Sequence, residues 1–130
     1  MTVGLEVTEC EIVVPGCPAR WQRPSSRGRQ RYSPTEMREA KEHVRRAWMV
    51  AGRPCLPDGP VGVSATFYRD RKPTARPDID NYLKLILDAL NGLAYRDDSQ
   101  VTDLERVRKR RPSDGAEEHT VIELFAVGEK

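Results

Sequence analysis

The chain has 130 residues, 38% hydrophobic and 32% charged, a composition typical of one domain with a modest core. Its uncharged apolar runs are far shorter than the ~20 residues that span a bilayer, and its first residues lack a basic region followed by an apolar core, so we expect no membrane insertion and a cytoplasmic location. The three cysteines are odd in number and none has zinc-ligand spacing to a histidine, which indicates reduced structural thiols.

The net charge of +2 conceals a strong segregation of charge along the chain. Residues 20–46 carry a net charge of +6, residues 69–76 one of +3 and residues 105–111 one of +4, which leaves −11 for all other residues. Basic segments around an acidic centre are typical of a protein that attracts phosphate groups. A merely solvated arginine-rich surface is the alternative, above all for residues 105–111.

Alternating apolar residues predict a strand near the N-terminus. Val3, Leu5 and Val7 alternate first, and Ile12 and Val14 then alternate in the opposite phase. This change of phase indicates one strand with a bulge or two short strands.

A loop from Gly16 to Pro34 follows, and it interleaves arginines with Trp21 and Tyr32. Such a loop is too polar to form core, and it suits phosphate contacts combined with stacking on bases or sugars. Trp21 could equally be an anchor that pins the loop to the domain. The arginines that we assign to nucleic-acid binding are Arg20, Arg23, Arg27, Arg29 and Arg31.

A helix and a strand are predicted next. Ser33-Pro34-Thr35-Glu36 is typical of a helix start, and helical apolar spacing continues to about Ala51-Gly52. Alternation of apolar with smaller or polar residues then predicts a strand from Val61 to Arg69. The following basic loop, from Asp70 to Pro77, carries three further residues assigned to nucleic-acid contacts: Arg71, Lys72 and Arg76.

A second helix is predicted from about Asp78 to Asn91. Pro77 suits its first turn, apolar residues recur along one stripe, and Gly92 follows the last of them. The polar face carries Asp80, Lys84 and Asp88 at i, i+4 and i+8.

Five carboxylates surround this helix: Asp78, Asp80, Asp88, Asp97 and Asp98. Each has an ordinary explanation on its own, as a helix cap, as an i,i+4 ion pair with Lys84 or as part of a solvated turn. Together they would repel one another unless a cation or a proton lies between them. We expect the chain reversal at Asn91-Gly92 to bring the last pair back to the first, and oxygen ligands without His or Cys suit Mg²⁺ or Mn²⁺.

This stretch resembles the RusA-type Holliday junction resolvases, a family of small endodeoxyribonucleases often carried by prophages. The resemblance rests on Pro77-Asp78-Ile79-Asp80-Asn81, Lys84, Asp88-Ala89-Leu90-Asn91-Gly92 and Asp97-Asp98-Ser99-Gln100-Val101. As an ordered set with these spacings the match is specific, whereas a lone Asp-x-Asp would be weak. The chain departs from a common form of the family in having no asparagine before Asn81.

The resemblance implies roles for the acidic residues. Asp78, Asp80 and Asp98 match the metal-binding catalytic carboxylates, with Mg²⁺ as the cofactor and Mn²⁺ as a substitute. Lys84 matches the active-site lysine. Asp88 and Asp97 match further acidic positions that could add metal ligands. The implied activity is hydrolysis of DNA phosphodiester bonds at four-way junctions, in recombination and repair, by a homodimer.

After Asp98 the two lines of inference differ. Val101, Leu104 and Val107 have helical spacing, whereas the resemblance implies a strand, and we follow the resemblance. A turn at residues 112–115 and a final strand from Thr120 to Val127 complete the prediction. The order β-α-β-α-β-β predicts one small α/β (α+β) domain over residues 1–130, a mixed sheet with helices packed on it.

Two other functions fit parts of the sequence. A metal-dependent phosphoryl- or glycosyl-transfer enzyme could use an Asp-x-Asp site, but no Gly-rich nucleotide loop is present. A non-catalytic nucleic-acid-binding protein would explain the arginines but not the clustered carboxylates, which repel phosphate in the absence of metal.

Overall fold

The computed structural model describes residues 9–16, 34–53 and 55–127, with only the backbone described for residues 34–37. The alternating segment from Val3 to Val7 and the arginine loop between Gly16 and Pro34 therefore fall outside the described residues, apart from the two ends of the loop. The predictions made for those segments remain predictions.

The order of elements is the predicted one. The elements are β1 (Glu9–Pro15), α1 (Pro34–Val50), β2 (Val61–Tyr68), α2 (Ile79–Leu90), β3 (Val101–Arg110) and β4 (His119–Ala126), with a 3-10 turn at Asp98–Gln100 before β3. β3 is a strand, as the family resemblance implies. The helical spacing in β3 misleads because register shifts relative to β2 interrupt its alternation.

The strands form one mixed sheet in the order β1-β4-β2-β3. β2 and β3 are parallel, whereas β4 is antiparallel to both β1 and β2. α2 connects the two parallel strands, so it must return along the sheet in the opposite direction to both of them. The first residue of α2 therefore lies near the C-terminal ends of β2 and β3, and its last residue lies near their N-terminal ends.

Both helices cover the same face of the sheet. The apolar residues Val61, Val63, Ala65 and Phe67 of β2 are buried, and the Phe67 ring lies 4.9 Å from the ring of Tyr82 in α2. α1 buries Ala40, Val44 and Trp48, and Arg45 of α1 donates to the Ala89 carbonyl of α2 at 2.7 Å. The predicted mixed sheet with helices packed on it is confirmed.

His43 and Cys10 each have a defined contact or burial in the fold. His43 of α1 forms a hydrogen bond with the Pro15 carbonyl at the end of β1. Cys10 is buried in the core, and this burial raises the pKa of its thiol. None of the helices in the described segments is long and apolar enough to cross a membrane.

Candidate active site

One half of the candidate site lies where the parallel strands β2 and β3 end. The Arg69 amide, directly after β2, donates to the Arg110 carbonyl at the end of β3 at 2.9 Å. Residues 70–77 then form a loop over this edge and lead into α2. The loop therefore places the first turn of α2, and with it the Asp-x-Asp pair, beside the C-terminal ends of the two strands.

Asp78 occupies the N-cap position of α2 but does not cap it. Its side chain makes no capping hydrogen bond. Its carboxylate is 59% exposed and lies 3.8 Å from the exposed Arg76 guanidinium, a separation at which an ion pair contributes little. The helix-cap explanation for Asp78 is therefore wrong, and its carboxylate oxygens are available to a ligand.

Asp80 and Lys84 share the exposed face of α2. The opposite face buries Tyr82, Leu85 and Ile86 in the core, which fixes the rotation of the helix and directs the polar face outward. Neither Asp80 nor Lys84 forms a hydrogen bond or an ion pair in the described part of the chain. The i,i+4 ion pairs considered from the sequence are therefore absent among these residues.

Asp88 has a partner on the other helix. Its carboxylate forms an ion pair with the Lys41 ammonium of α1 at 2.7 Å, and both side chains are partly exposed. Lys41, rather than Lys84, therefore pairs with the Asp88 charge. The sequence offered no signal for this pair, because it depends on how α1 packs beside α2.

The reversal after α2 is built on Gly92 and Tyr95. Gly92 has a φ of +82°, which L residues rarely adopt, and its amide donates to the Tyr95 carbonyl at 2.8 Å. The buried Tyr95 hydroxyl donates to the Leu87 carbonyl at 2.6 Å. These bonds fold the segment before β3 against the last turns of α2.

This reversal brings Asp98 to Asp88. Desolvation by neighbouring atoms raises the pKa of the exposed Asp98 carboxyl, the like charges of Asp88 and then Asp97 raise it further, and a hydrogen bond with Tyr95 opposes them. Burial raises the pKa of Tyr95 as well, and the Asp98 and Asp88 charges add to the effect. Lys41 partly offsets this repulsion through its ion pair with Asp88, and a further cation beside Asp98 would offset the rest.

The expectation that Asp98 would meet Asp78 is wrong within one chain. Asp78 precedes the first residue of α2, whereas Asp98 lies beside its end, and 12 helical residues span about 18 Å. The physical reason is the parallel pairing of β2 and β3. The residue before β3 lies at the N-terminal ends of these strands, whereas the residue after β2 lies at their C-terminal ends. The described residues accordingly contain no group of three potential ligands that could hold a metal ion.

Asp97 is engaged in local structure. Its carboxylate accepts the Ser99 amide at 3.0 Å, and the Gln100 side chain accepts the Asp97 amide at 3.2 Å, which together form a capping box. The hydrogen bond from Ser99 lowers the pKa of Asp97. Asp97 thus shapes the turn that presents Asp98.

The donors fit Mg²⁺ or Mn²⁺ in kind, because all are carboxylate oxygens with no His or Cys among them. In number they fall short at each end of α2, with Asp78 and Asp80 at the start and Asp88 and Asp98 at the end.

The basic residues near Asp78 divide into two groups. Arg71, Lys72 and Arg76 are exposed on the loop, as expected for residues assigned to nucleic-acid contacts. Arg69 is fully buried and Lys109 is half-buried, and both point into the loop. Counting charges along the sequence cannot separate these groups. The arginines from Arg20 to Arg31 are outside the described residues.

Two comparisons with known proteins match parts of this chain. A family model described as endodeoxyribonuclease RusA matches residues 15–123. The uncharacterized protein YqaN of Bacillus subtilis (strain 168) is 62% identical over 34 residues, which are 26% of this chain and 24% of that protein. The matched segment thus spans about a quarter of the length of that relative.

Proposed function

The chain belongs to the RusA endodeoxyribonuclease family, and on this premise we propose that it is a Mg²⁺-dependent endonuclease that resolves Holliday junctions and other branched DNA in recombination and repair. The observation that supports this function is the exposed first half of α2. Asp78, Asp80 and Lys84 are solvent-exposed there, and neither Asp80 nor Lys84 has a partner among the described residues. We propose residues 1–130 as one such domain, acting in the cytoplasm.

Asp78, Asp80 and Asp98 are the proposed ligands of the metal, with Mn²⁺ as a substitute for Mg²⁺. Asp88, whose charge acts on Asp98, is a further candidate ligand, although Lys41 pairs with it in this chain. Asp97 serves the turn through its capping bonds. When bound, the ion would supply activation of a water and neutralisation of charge on the scissile phosphate.

A homodimer completes this ligand set. Asp98 cannot reach Asp80 in its own chain, because Asp80 is in the first turn of α2 and Asp98 lies beside its end. A two-fold axis can place the end of one α2 beside the start of the other. Each of the two resulting sites would combine Asp78 and Asp80 of one copy with Asp98 of the second copy. Two symmetric sites also match the paired strands of a four-way junction.

Lys84 is proposed to face the reacting phosphate. It lies one turn after Asp80 on the same exposed face of α2, and its ammonium has no partner in the described residues. A positioned cation at this place stabilises the negative charge that develops on the phosphate or on the leaving oxygen. Lys84 would therefore act in the transition state rather than in folding.

The exposed residues Arg71, Lys72 and Arg76 flank Asp78 on the loop over the sheet edge. Together with Arg20, Arg23, Arg27, Arg29 and Arg31, they are the proposed contacts to the DNA backbone. These contacts would hold the junction arms while the acidic centre cuts between them.

The test is cleavage of a synthetic four-way junction beside a linear duplex of the same sequence. We expect Mg²⁺-dependent nicking of the junction near its branch point, loss of nicking in EDTA and slow or absent cutting of the duplex. Junction binding without cleavage at any concentration of Mg²⁺ or Mn²⁺ would identify a non-catalytic binding protein instead.

A further inference from the structure

We propose that Lys109, supported by Arg69, is a positioning residue that fixes the backbone in front of Asp78 and so sets the geometry of one metal ligand. The effect on the geometry of a metal ligand rests on the proposed function, in which Asp78 binds the metal. The hold on the backbone itself stands on contacts within this chain.

Lys109 reaches the loop from the end of β3. It is aligned with Phe67 of β2 and is half-buried. Its ammonium donates to the Ala75 carbonyl at 3.1 Å and to the Pro77 carbonyl at 3.0 Å. One side chain thus ties together the carbonyls on both sides of Arg76, and the second of them belongs to the residue that is bonded directly to Asp78.

Arg69 holds the rest of the loop from the end of β2. Its guanidinium donates to the carbonyls of Lys72 at 3.0 Å, Pro73 at 3.1 Å and Arg76 at 3.2 Å. The side chain is fully buried and lies 5.6 Å from the centre of the Tyr82 ring in α2. The two cations together bind five of the six carbonyls from residue 72 to residue 77.

Neither cation forms an ion pair with a carboxylate in the described part of the chain. Burial lowers the pKa of Lys109, the charge of Arg69 lowers it further, and Asp78 acts in the opposite direction. Two neighbouring cations without an ion-paired acid are expensive to place in a fold. The carbonyl bonds and the Asp78 charge offset that cost, which couples Lys109 to the candidate site.

Electrostatics and positioning predict opposite results when Lys109 is changed to methionine. Loss of a positive charge near Asp78 would by itself strengthen the binding of a divalent cation. Loss of the two carbonyl bonds frees the backbone before Asp78, and a displaced ligand weakens metal binding. The sign of the change in Mn²⁺ affinity therefore distinguishes the two effects.

The experiment measures Mn²⁺ binding without DNA, by the electron paramagnetic resonance signal of free Mn²⁺, for Lys109→Met and Lys109→Arg. We expect the affinity of Lys109→Met to fall at least roughly tenfold. Lys109→Arg keeps the charge and the donors and should restore most of it. Arg106→Met removes one positive charge from an exposed position of the same strand and should leave the affinity unchanged.

Amide hydrogen exchange supplies a readout that needs no metal. The Ala75 amide donates to the Lys72 carbonyl and the Asn81 amide to the Asp78 carbonyl, so both report on the held backbone. In Lys109→Met their exchange should accelerate roughly tenfold, with no such change in Arg106→Met. Light scattering checks that the variants keep the oligomeric state of the wild type.

Unchanged exchange at Ala75 and Asn81 in a folded Lys109→Met protein would overturn the inference. Equal or tighter Mn²⁺ binding by Lys109→Met would overturn it as well, because the charge alone would then explain the contact. If the wild type bound no Mn²⁺, the proposed metal site would fail, and the exchange data would decide the positioning role by themselves.

Discussion

The Tyr95 hydroxyl donates a hydrogen bond to the Leu87 carbonyl at 2.6 Å and thereby ties the segment before β3 to the end of α2. Tyr95 is fully buried, and its hydroxyl also interacts with the Asp98 carboxylate. One side chain thus links the helix that carries Asp88 to the turn that carries Asp98. The charges of Asp88 and Asp98 act on one another at this end of α2.

Tyr95→Phe removes only this hydroxyl. The Leu87 carbonyl then loses its bond to the hydroxyl, so we expect the free energy of unfolding to fall by about 0.5–1.5 kcal/mol and junction cleavage to fall with it. Tyr68→Phe is the matched control, because Tyr68 is partly exposed and stacks on His119 through its ring. Urea unfolding of both variants measures the difference, and equal stability would contradict the structural role of the hydroxyl.

Asp80→Asn and Asp98→Asn test whether two chains share each site. Each variant alone should lose junction nicking by orders of magnitude while junction binding is retained. Co-refolded in equal amounts, the two variants form mixed dimers in which one site is doubly altered and the other is intact. Nicking should then recover to about a quarter of the wild-type level, since half of the dimers are mixed.

No recovery above the single variants would contradict the shared site and would place all ligands of a site in one chain. Co-refolding Asp80→Asn with Asp78→Asn is the control, because these two ligands come from the same end of α2. That mixture should remain inactive, since every site would lack Asp78 or Asp80.

Lys84→Met separates a catalytic from a structural role. An exposed ion pair on a helix contributes only about 0.3–0.5 kcal/mol, and Lys84 has no such pair among the described residues. We therefore expect unchanged stability and junction binding, but single-turnover cleavage at saturating Mg²⁺ lower by at least roughly a hundredfold, about 2.7 kcal/mol in the barrier. Near-normal cleavage with a slightly lower Tm would remove Lys84 from the site.

The raised pKa of Asp98 predicts a pH-dependent effect of its removal. A carboxyl whose pKa is higher in the folded protein than in the unfolded chain favours folding less as the pH rises from its ordinary value, 3.8, through the raised value. Without metal, Asp98→Asn should therefore be more stable than the wild type at neutral pH. The two proteins should be equally stable at a pH below the ordinary pKa of 3.8.

Bound metal should reduce or reverse this difference in stability. With saturating Mg²⁺ the wild type gains stability from ligand binding and Asp98→Asn gains less, so the difference in Tm should shrink or change sign. The measurement is thermal unfolding at neutral and acid pH with and without Mg²⁺. A stability difference that ignored both pH and metal would show that the Asp98 charge has no part in either effect.

Arg27 and Arg29 test the arginine loop as a DNA contact. If the loop follows the backbone, replacing both with Ala should weaken binding to junction and duplex alike and reduce the slope of log K against log salt by about one to two units. Filter-binding titrations at several salt concentrations measure that slope. An unchanged slope would indicate that these arginines are only solvated.

Local patterns in the sequence were sufficient for most of the fold. The start of α2 at residue 79 and its end at residue 90 follow from Pro77, the apolar stripe and Gly92. The alternation in β2 predicted a strand, although β2 is buried on both faces from Val61 to Phe67. Such patterns report which side of one element is buried, and this needs no knowledge of its neighbours. The spacing of Asp78, Asp80 and Lys84 on one helix was predictable for the same reason.

The tertiary structure decided which of these residues meet. Asp88 pairs with Lys41 rather than with Lys84 because α1 packs beside α2, and Asp98 lies by Asp88 rather than by Asp78 because β2 and β3 are parallel. In the sequence, Arg69 and Lys109 were only members of basic segments, yet the loop closes over them. Contacts between residues far apart in the chain depend on strand direction and helix packing, and local periodicity carries no information about either.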